Sequence, residues 1–261
     1  VTTDHLVLLL RLAGPMQSWG DRSAFNRRET RPEPTKSGVV GLLAAAAGRR
    51  READITDLAE LRLGVRVDQA GSLMRDYHTV SDYRGQPLPQ AGVSAKGIQK
   101  PTSPAKHTHI TQRFYLQDAV FVAGIEGPAD LITTLGTAVS NPAFPLALGR
   151  RSCVPTQPVN LGLRPTDLET ALITEPWQIG DHARRRQARK GRPATVQLAA
   201  TLDDPDGDDV AHDRPVSFDP LRRAFTSRRI RHAWLTVPSG FDNPDPDARS
   251  AGHDPFALLD W

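Results

Sequence analysis

The stretch that most constrains this chain is LVLLL at 6–10, the uninterrupted apolar centre of a compact segment from His5 to Leu12. A run this short and continuous predicts a buried strand. It is far below the ~20 residues a membrane-spanning helix needs, and it lacks the basic leader and small-residue cleavage site of a signal peptide. A loop rich in Gly, Pro, Ser and Arg follows, from Ala13 to Thr35. The chain then enters VVGLLAAAA at 39–47, apolar nearly all round, so a helix over Ser37–Gly48 must be buried too. Thr35 or Ser37 is its candidate N-cap and Gly48 its stop.

Further along, Ile55–Leu61 predicts a short helix and Leu63–Val67 a strand. From Asp76 to Gln112 the chain is polar, with Gly, Pro, Lys, His and Thr throughout. That is too long for an ordinary loop, so it is a projecting hairpin or a segment that orders on binding. Phe114–Ile125 returns to strand character, and Pro128–Val139 predicts a helix with proline in its first turn. This order suggests an α+β fold built on the split β-α-β of ferredoxin-like folds. After the connection 142–158, strands are expected at Thr195–Leu202 and Ala233–Val237, with a short helix near Leu221–Phe225. The expected division is a domain over 1–150, a smaller irregular region over 151–238 packed on it, and a loosely held tail over 239–261.

Composition narrows the chemistry. The single cysteine, Cys153, excludes an internal disulfide and a multi-cysteine zinc site, which points to a reducing, cytoplasmic setting. His107 and His109 have no carboxylate or cysteine at ligand spacing, so neither metal nor other cofactor is expected. There is no GxSxG elbow. The net charge of +3 conceals a basic cluster, HARRRQARKGR at 182–192, and an acidic one, DDPDGDD at 203–209. The basic cluster is either a phosphate-attracting patch or a solvated loop.

Two stretches suit a polyanion. Lys36, Ser37 and Gly38 place a cation, a hydroxyl and a glycine at a helix start, with Arg22, Arg27, Arg28 and Arg31 upstream. PTKSG at 34–38 lacks the spaced glycines of a nucleotide-binding loop, and an ordinary capped helix explains it equally well. In DYHTVSDYRG at 76–85, with Lys96, Lys100, Lys106 and Arg113 beyond, rings alternate with cations. That pattern suits single-stranded nucleic acid, whose bases stack while cations follow the backbone. The same residues, with Tyr77 or His78 as a base and a lysine stabilising phosphate, could instead cleave RNA. A polar arm without chemistry is the third reading.

Seven stretches then match one family in order: LLLRLAGPMQSWG (8–20), PTKSGVVGLL (34–43), VRVDQ (65–69), DYHTV (76–80), RFYLQDAVF (113–121), LGRRSC (148–153) and AFTSRR (224–229). The chain resembles the Cas-five family of the RAMP superfamily, subunits of the type I-E CRISPR complex Cascade. The resemblance weakens over 180–215 and after Val237. It implies a ferredoxin-like, RRM-related domain with an inserted β-hairpin thumb at about 78–112. It implies a cytoplasmic, non-catalytic subunit of a hetero-oligomer, without contact to membrane, serving antiviral defence. Such a subunit holds the 5′ handle of the guide RNA and caps one end of the assembly. Its partners are the guide RNA, the backbone subunit CasC and the large subunit CasA, with target DNA nearby.

The resemblance also assigns roles. Gly14, Pro15, Met16, Gln17, Ser18 and Trp19 form a loop after the first strand, although Met16 and Trp19 also suit a core. Lys36, Ser37 and Gly38 meet handle phosphates. Tyr77, His78 and Thr79 stack and hydrogen-bond at the base of the thumb. Arg150 and Arg151 clamp the backbone, and Arg27 and Arg113 complete the RNA-binding set. Because a related type I-C protein cleaves, the alternative is a metal-independent endoribonuclease acting on CRISPR repeat RNA. In type I-E systems another subunit, CasE, makes that cut.

Overall fold

The structure is a computed structural model that describes residues 4–20, 26–82 and 107–241. Arg22, Lys96, Lys100, Lys106 and the tail from 242 lie outside the described residues. The apolar run forms β1 (His5–Ala13), antiparallel to β7 (Val120–Pro128) on one side and β8 (Asn160–Arg164) on the other. Successive strand side chains point to opposite faces. Leu8, Leu10 and Leu12 therefore enter a core shared with α1 (Lys36–Ala46), α2 (Thr56–Glu60) and α3 (Ala129–Ser140). Val7 and Leu9 enter a second core under α4 (Leu168–Thr174). The centre of the strand, LVLLL at 6–10, is apolar at every position because both of its faces are covered. Thr35 is the N-cap of α1, its Oγ1 accepting from the Gly38 N–H at 3.2 Å, and Gly48 follows the helix with φ +73°.

β4 (Arg62–Gln69) pairs antiparallel with β7, so the chain runs β1–α1–α2–β4, then β7–α3–β8, in the strand order β4-β7-β1-β8. The sheet does not stop there. β9 (Thr195–Asp203) joins the free edge of β4, followed by β11 (Ala224–Pro238) and β10 (Asp209–Ser217). The complete order is β10-β11-β9-β4-β7-β1-β8. Residues 151–238 are thus not a separate irregular region: β8 to β11 hydrogen-bond into the same sheet as β1. β10 and β11 are harder to read because few of their positions are buried. In β11, Leu235 and Val237 are buried while Trp234 is 73% exposed. The helix expected near Leu221–Phe225 is a turn at 220–222, in which the Asp219 carboxylate accepts from the Leu221 N–H at 2.8 Å. The basic cluster is a helix, α5 (Asp181–Lys190).

Arg66, fully buried on β4, ties the two halves together. Its guanidinium pairs with Asp68 at 2.7 Å and donates to the carbonyls of Leu172, Glu175 (2.6 Å) and Pro176 (3.1 Å). Those carbonyls end α4 without helical partners, so the buried cation satisfies them.

Between β4 and β7 lies a smaller sheet. β5 (Ser72–Asp82) and β6 (His107–Gln117) are antiparallel, with Ser72 opposite Gln117 and Asp82 opposite His107. β2 (Met16–Gln17) pairs antiparallel and β3 (Arg27–Arg28) parallel with β6. Because β5 occupies one edge of β6 along its whole length, β2 and β3 share the other. The single strand expected over Phe114–Ile125 is therefore two strands in two sheets. Asp118, at φ +57°, makes the break, a conformation in which aspartate is tolerated better than most side chains.

Candidate nucleic-acid interface

The loop after β1 is an interlock rather than an open surface. Gln17 is fully buried; its amide donates to the carbonyls of Leu12 (2.9 Å) and Ala119 (2.8 Å) and accepts from the Trp19 indole at 3.1 Å. Trp19 is 0% exposed, and the Ser18 hydroxyl donates to the Phe114 carbonyl at 3.1 Å. These side chains knit β1, β2 and β6 together. The expectation that Gln17, Ser18 and Trp19 face RNA is corrected accordingly, because satisfying buried polar groups takes their hydrogen-bonding capacity. Met16 is half-buried and packs on the same core.

The glycines of the family stretches serve this interlock. A Cβ on Gly149, at φ +86°, would lie 1.8 Å from the Ser18 carbonyl oxygen. A Cβ on Gly38 would lie 2.6 Å from the Trp19 ring. LGRRSC, QSW and KSG therefore close on one another in space. The one cysteine, Cys153, is buried beside them, and burial pushes its thiol pKa up.

The helix start at Lys36 holds an anion, but one that the chain supplies itself. The Asp213 carboxylate accepts from the Lys36 backbone N–H at 2.6 Å. The Lys36 ammonium is buried and paired with Asp203 at 2.8 Å. Arg228 bridges the two aspartates, bonding Asp203 and, at 2.7 Å, Asp213. Burial alone would raise the Asp203 pKa, but Arg228 and Lys36 outweigh it and hold the carboxyl below its ordinary value. For Lys36, burial outweighs the attraction of Asp203 and lowers the ammonium pKa. The cluster locks α1 to β9, β10 and β11. The assignment of Lys36 to a handle phosphate is corrected, since its charge is spent internally and its N–H is occupied. The Gly38 N–H is likewise taken by Thr35. Ser37 is half-buried, its hydroxyl 3.3 Å from that of Thr35. Asp203, Asp213 and Arg228 are the partners that sequence reasoning missed; AFTSRR contains Arg228, but nothing in its spacing reveals the pairing.

The small sheet presents a different surface. Strand alternation puts Arg75, Tyr77 and Thr79 on one face of β5, where Tyr77 is 63% exposed. The register places Tyr77, Gln112 and Arg27 in one row across β5, β6 and β3, and Arg75 opposite Phe114 in the next. Paired residues share a face, so rings and cations gather there. The Arg27 guanidinium lies over the Phe114 ring at 4.9 Å and pairs with Glu29 at 2.7 Å while staying exposed. Arg75 is the member of this group that the sequence reading did not single out; its alternation with Tyr77 was the available signal.

The opposite face carries Asp76, His78, Thr111 and Arg113. His78 lies 3.7 Å from Asp76, and Arg113 donates to the Thr111 hydroxyl at 3.1 Å. Tyr77 and His78, adjacent in sequence, project from opposite sides of the strand and do not converge on one phosphate.

Arg150 and Arg151 differ from each other. Arg150 stacks over Tyr115 at 4.7 Å and donates to the carbonyls of Phe114 (3.0 Å) and Arg28 (2.7 Å), pinning β3 against β6. Its donors face backbone, so the phosphate clamp expected of it is corrected to a strut. Arg151 is exposed. Among the described residues no group of three or more His, Cys, Asp or Glu could hold a metal ion. No helix among them is long and apolar enough to cross a membrane.

The chain matches known proteins by family, by sequence and by structure. Residues 7–231 match the family described as CRISPR-associated protein (Cas_Cas5). The chain is 36% identical over 256 residues to the CRISPR system Cascade subunit CasD of Escherichia coli (strain K12), covering 90% of this chain and 97% of that protein. A solved structure described as "CRISPR RNA-guided surveillance complex" aligns at TM-score 0.67 and 32% identity, over 89% of this chain and 91% of its own. Another, "Crystal structure of Cas protein", aligns at TM-score 0.64 and 39% identity, over 89% and 97%.

Proposed function

Because the chain belongs to the CRISPR-associated Cas5 family, matched over residues 7–231, we propose that it is the non-catalytic guide-RNA-binding subunit of a Cascade-type surveillance complex. It holds the 5′ handle of the guide RNA and caps one end of a cytoplasmic hetero-oligomer. Its partners are the guide RNA, the backbone subunit CasC and the large subunit CasA, with target DNA nearby. The path β1–α1–β4–β7–α3–β8, with strand order β4-β7-β1-β8, supports a ferredoxin-like RAMP domain. The β5–β6 hairpin inserted in that path supports the thumb.

The observation that carries the reading is the row of Tyr77, Gln112 and Arg27 beside Arg75 and Phe114, in which Tyr77, Arg27 and Arg75 are exposed and Gln112 and Phe114 half-buried. An exposed ring flanked by cations suits splayed bases, with cations following the backbone. Thr79 extends that face, and exposed Arg151 adds a cation. Trp19 braces the segment that carries Arg27: its backbone N–H donates to the Thr30 hydroxyl at 2.9 Å and its carbonyl accepts from the Arg31 N–H at 2.6 Å. Placement of Tyr77 and His78 on opposite faces favours binding over cleavage, since a general base must reach the proton that it removes.

The test is titration of labelled handle RNA with the full chain and with Tyr77→Ala and Arg75→Ala. Loss of one stacked base, about 1–3 kcal/mol, weakens binding roughly 5- to 150-fold. Repeat RNA incubated with the chain in EDTA is expected to stay intact. Unchanged handle affinity in both variants, or cleavage that disappears in His78→Ala, defeats the proposal.

A further inference from the structure

The handle surface leaves the basic helix α5 unused. Its burial pattern divides it cleanly. Ala183, Arg184, Gln187 and Ala188 are half-buried, whereas His182, Arg185, Arg186, Arg189 and Lys190 are exposed. At 3.6 residues per turn these exposed residues fall on one side of the helix. The inner side is fastened. Arg184 donates to the carbonyls of Gly240 (3.2 Å) and Trp177 (3.4 Å) and stacks over Phe241 at 5.1 Å. The Gly180 N–H, just before the helix, donates to the Gln69 side chain at 3.4 Å.

Asp181 in the first turn is the one carboxylate of α5, against the exposed cations Arg185, Arg186, Arg189 and Lys190. Among the described residues, no ion pair involves Arg185, Arg186, Arg189 or Lys190. Within the acidic run at 203–209, Asp203 pairs with Lys36 and Arg228, Asp204 with Arg231, and Asp209 with His232. Arg185 and Arg189, and Arg186 and Lys190, are like charges four residues apart, an arrangement that weakens a helix. The helix dipole accounts for cations in the last turn, Arg189 and Lys190, but not for Arg185 and Arg186 in the middle.

We propose that the outer face of α5 is a second, sequence-independent site for the phosphate backbone of duplex nucleic acid, separate from the handle surface. Charge complementarity argues for a polyanion, and the fork of each guanidinium suits phosphate oxygens. The choice of duplex follows from composition. The outer face carries no Phe, Tyr or Trp on which unpaired bases could stack, and single-strand sites depend on such rings. What it offers is a row of cations on a rigid rod, which reads backbone and not sequence.

The experiment measures binding of a fluorescent random-sequence DNA duplex to the full chain across a salt series. The variants are R185Q/R186Q/R189Q/K190Q and the charge-keeping R185K/R186K/R189K. Each phosphate contact removed flattens the slope of log K against log salt by about 0.9. The Gln variant is therefore expected to lose about three to four from the slope, and at least about tenfold in affinity at low salt. The Lys variant is expected to retain duplex binding, and both are expected to leave the handle of the assembled complex protected. Tyr77→Ala, by contrast, should leave duplex binding unchanged, so failure here and failure of the handle reading are separable. Equal slopes for the chain and its Gln variant overturn the site. Equal slopes with loss of assembly onto partner subunits also overturn it, pointing to an acidic protein surface.

Discussion

In Lys36→Met the aliphatic stem is kept and the ammonium removed, leaving Asp203 buried with one partner fewer. Breaking a buried ion pair from one side costs about 3–5 kcal/mol. Asp203 keeps Arg228 and the Leu63 N–H at 2.9 Å, so the loss should fall near ~3 kcal/mol. That is a large share of a typical domain stability of about 5–15 kcal/mol. The assay is urea unfolding of the full chain, read as a lower midpoint at constant slope, beside a handle-RNA titration. The pH dependence follows from Asp203, whose carboxyl Arg228 and Lys36 hold below its ordinary value of 3.8 against the opposing effect of burial. A lowered folded pKa contributes stability above the unfolded value and loses it as pH falls through the folded one. The gap between wild type and Lys36→Met should therefore be full at neutral pH and shrink below about pH 3.8. If Lys36 instead served an RNA phosphate, stability would stay within about 0.5 kcal/mol and the single-strand salt slope would flatten by about 0.7. That pair of results refutes the reasoning.

Two further variants probe the interlocks. Gly149→Ala, at φ +86° and with its Cβ aimed 1.8 Å from the Ser18 carbonyl, should destabilise by more than about 1 kcal/mol, visible as a lower thermal midpoint. Arg66→Met strips Asp68 of its buried partner and leaves the α4 carbonyls unsatisfied; a loss of about 3–5 kcal/mol in urea unfolding is expected, and a loss below about 1 kcal/mol would contradict the role given to Arg66.

Elements that bury all round were legible from local pattern. β1 and α1 declare themselves because residues on both faces of the strand and around most of the helix meet a core. One-sided strands were not: β10 buries Asp213 and Pro215 while exposing Val210, His212 and Val216, and β11 alternates cations and Trp234 with its core residues. The break at Asp118 was hidden because apolar residues continue on both sides of it, in strands of two different sheets. The same limit applied to the candidate site. Tyr77 and Arg27 were visible as a ring and a cation, but their shared row depends on a register set across β5, β6 and β3.

By itself, the sequence determined the buried strand and helix at the N-terminal junction and the family, through the ordered stretches from Leu8 to Arg229. A local run of side chains carries that information, because hydrophobic period and turn chemistry act over a few residues. The tertiary structure alone decided which charges are free to meet a ligand. Lys36 lies 167 residues from Asp203 along the chain, and only the sheet that joins β9 to β4 brings that carboxylate to its ammonium. Among the described residues the outer cations of α5 form no ion pair, while Asp203, Asp204 and Asp209 of the acidic run pair with Lys36, Arg231 and His232. Coulomb attraction depends on distance in space, so a residue's type fixes its charge while the fold fixes whether that charge is already neutralised.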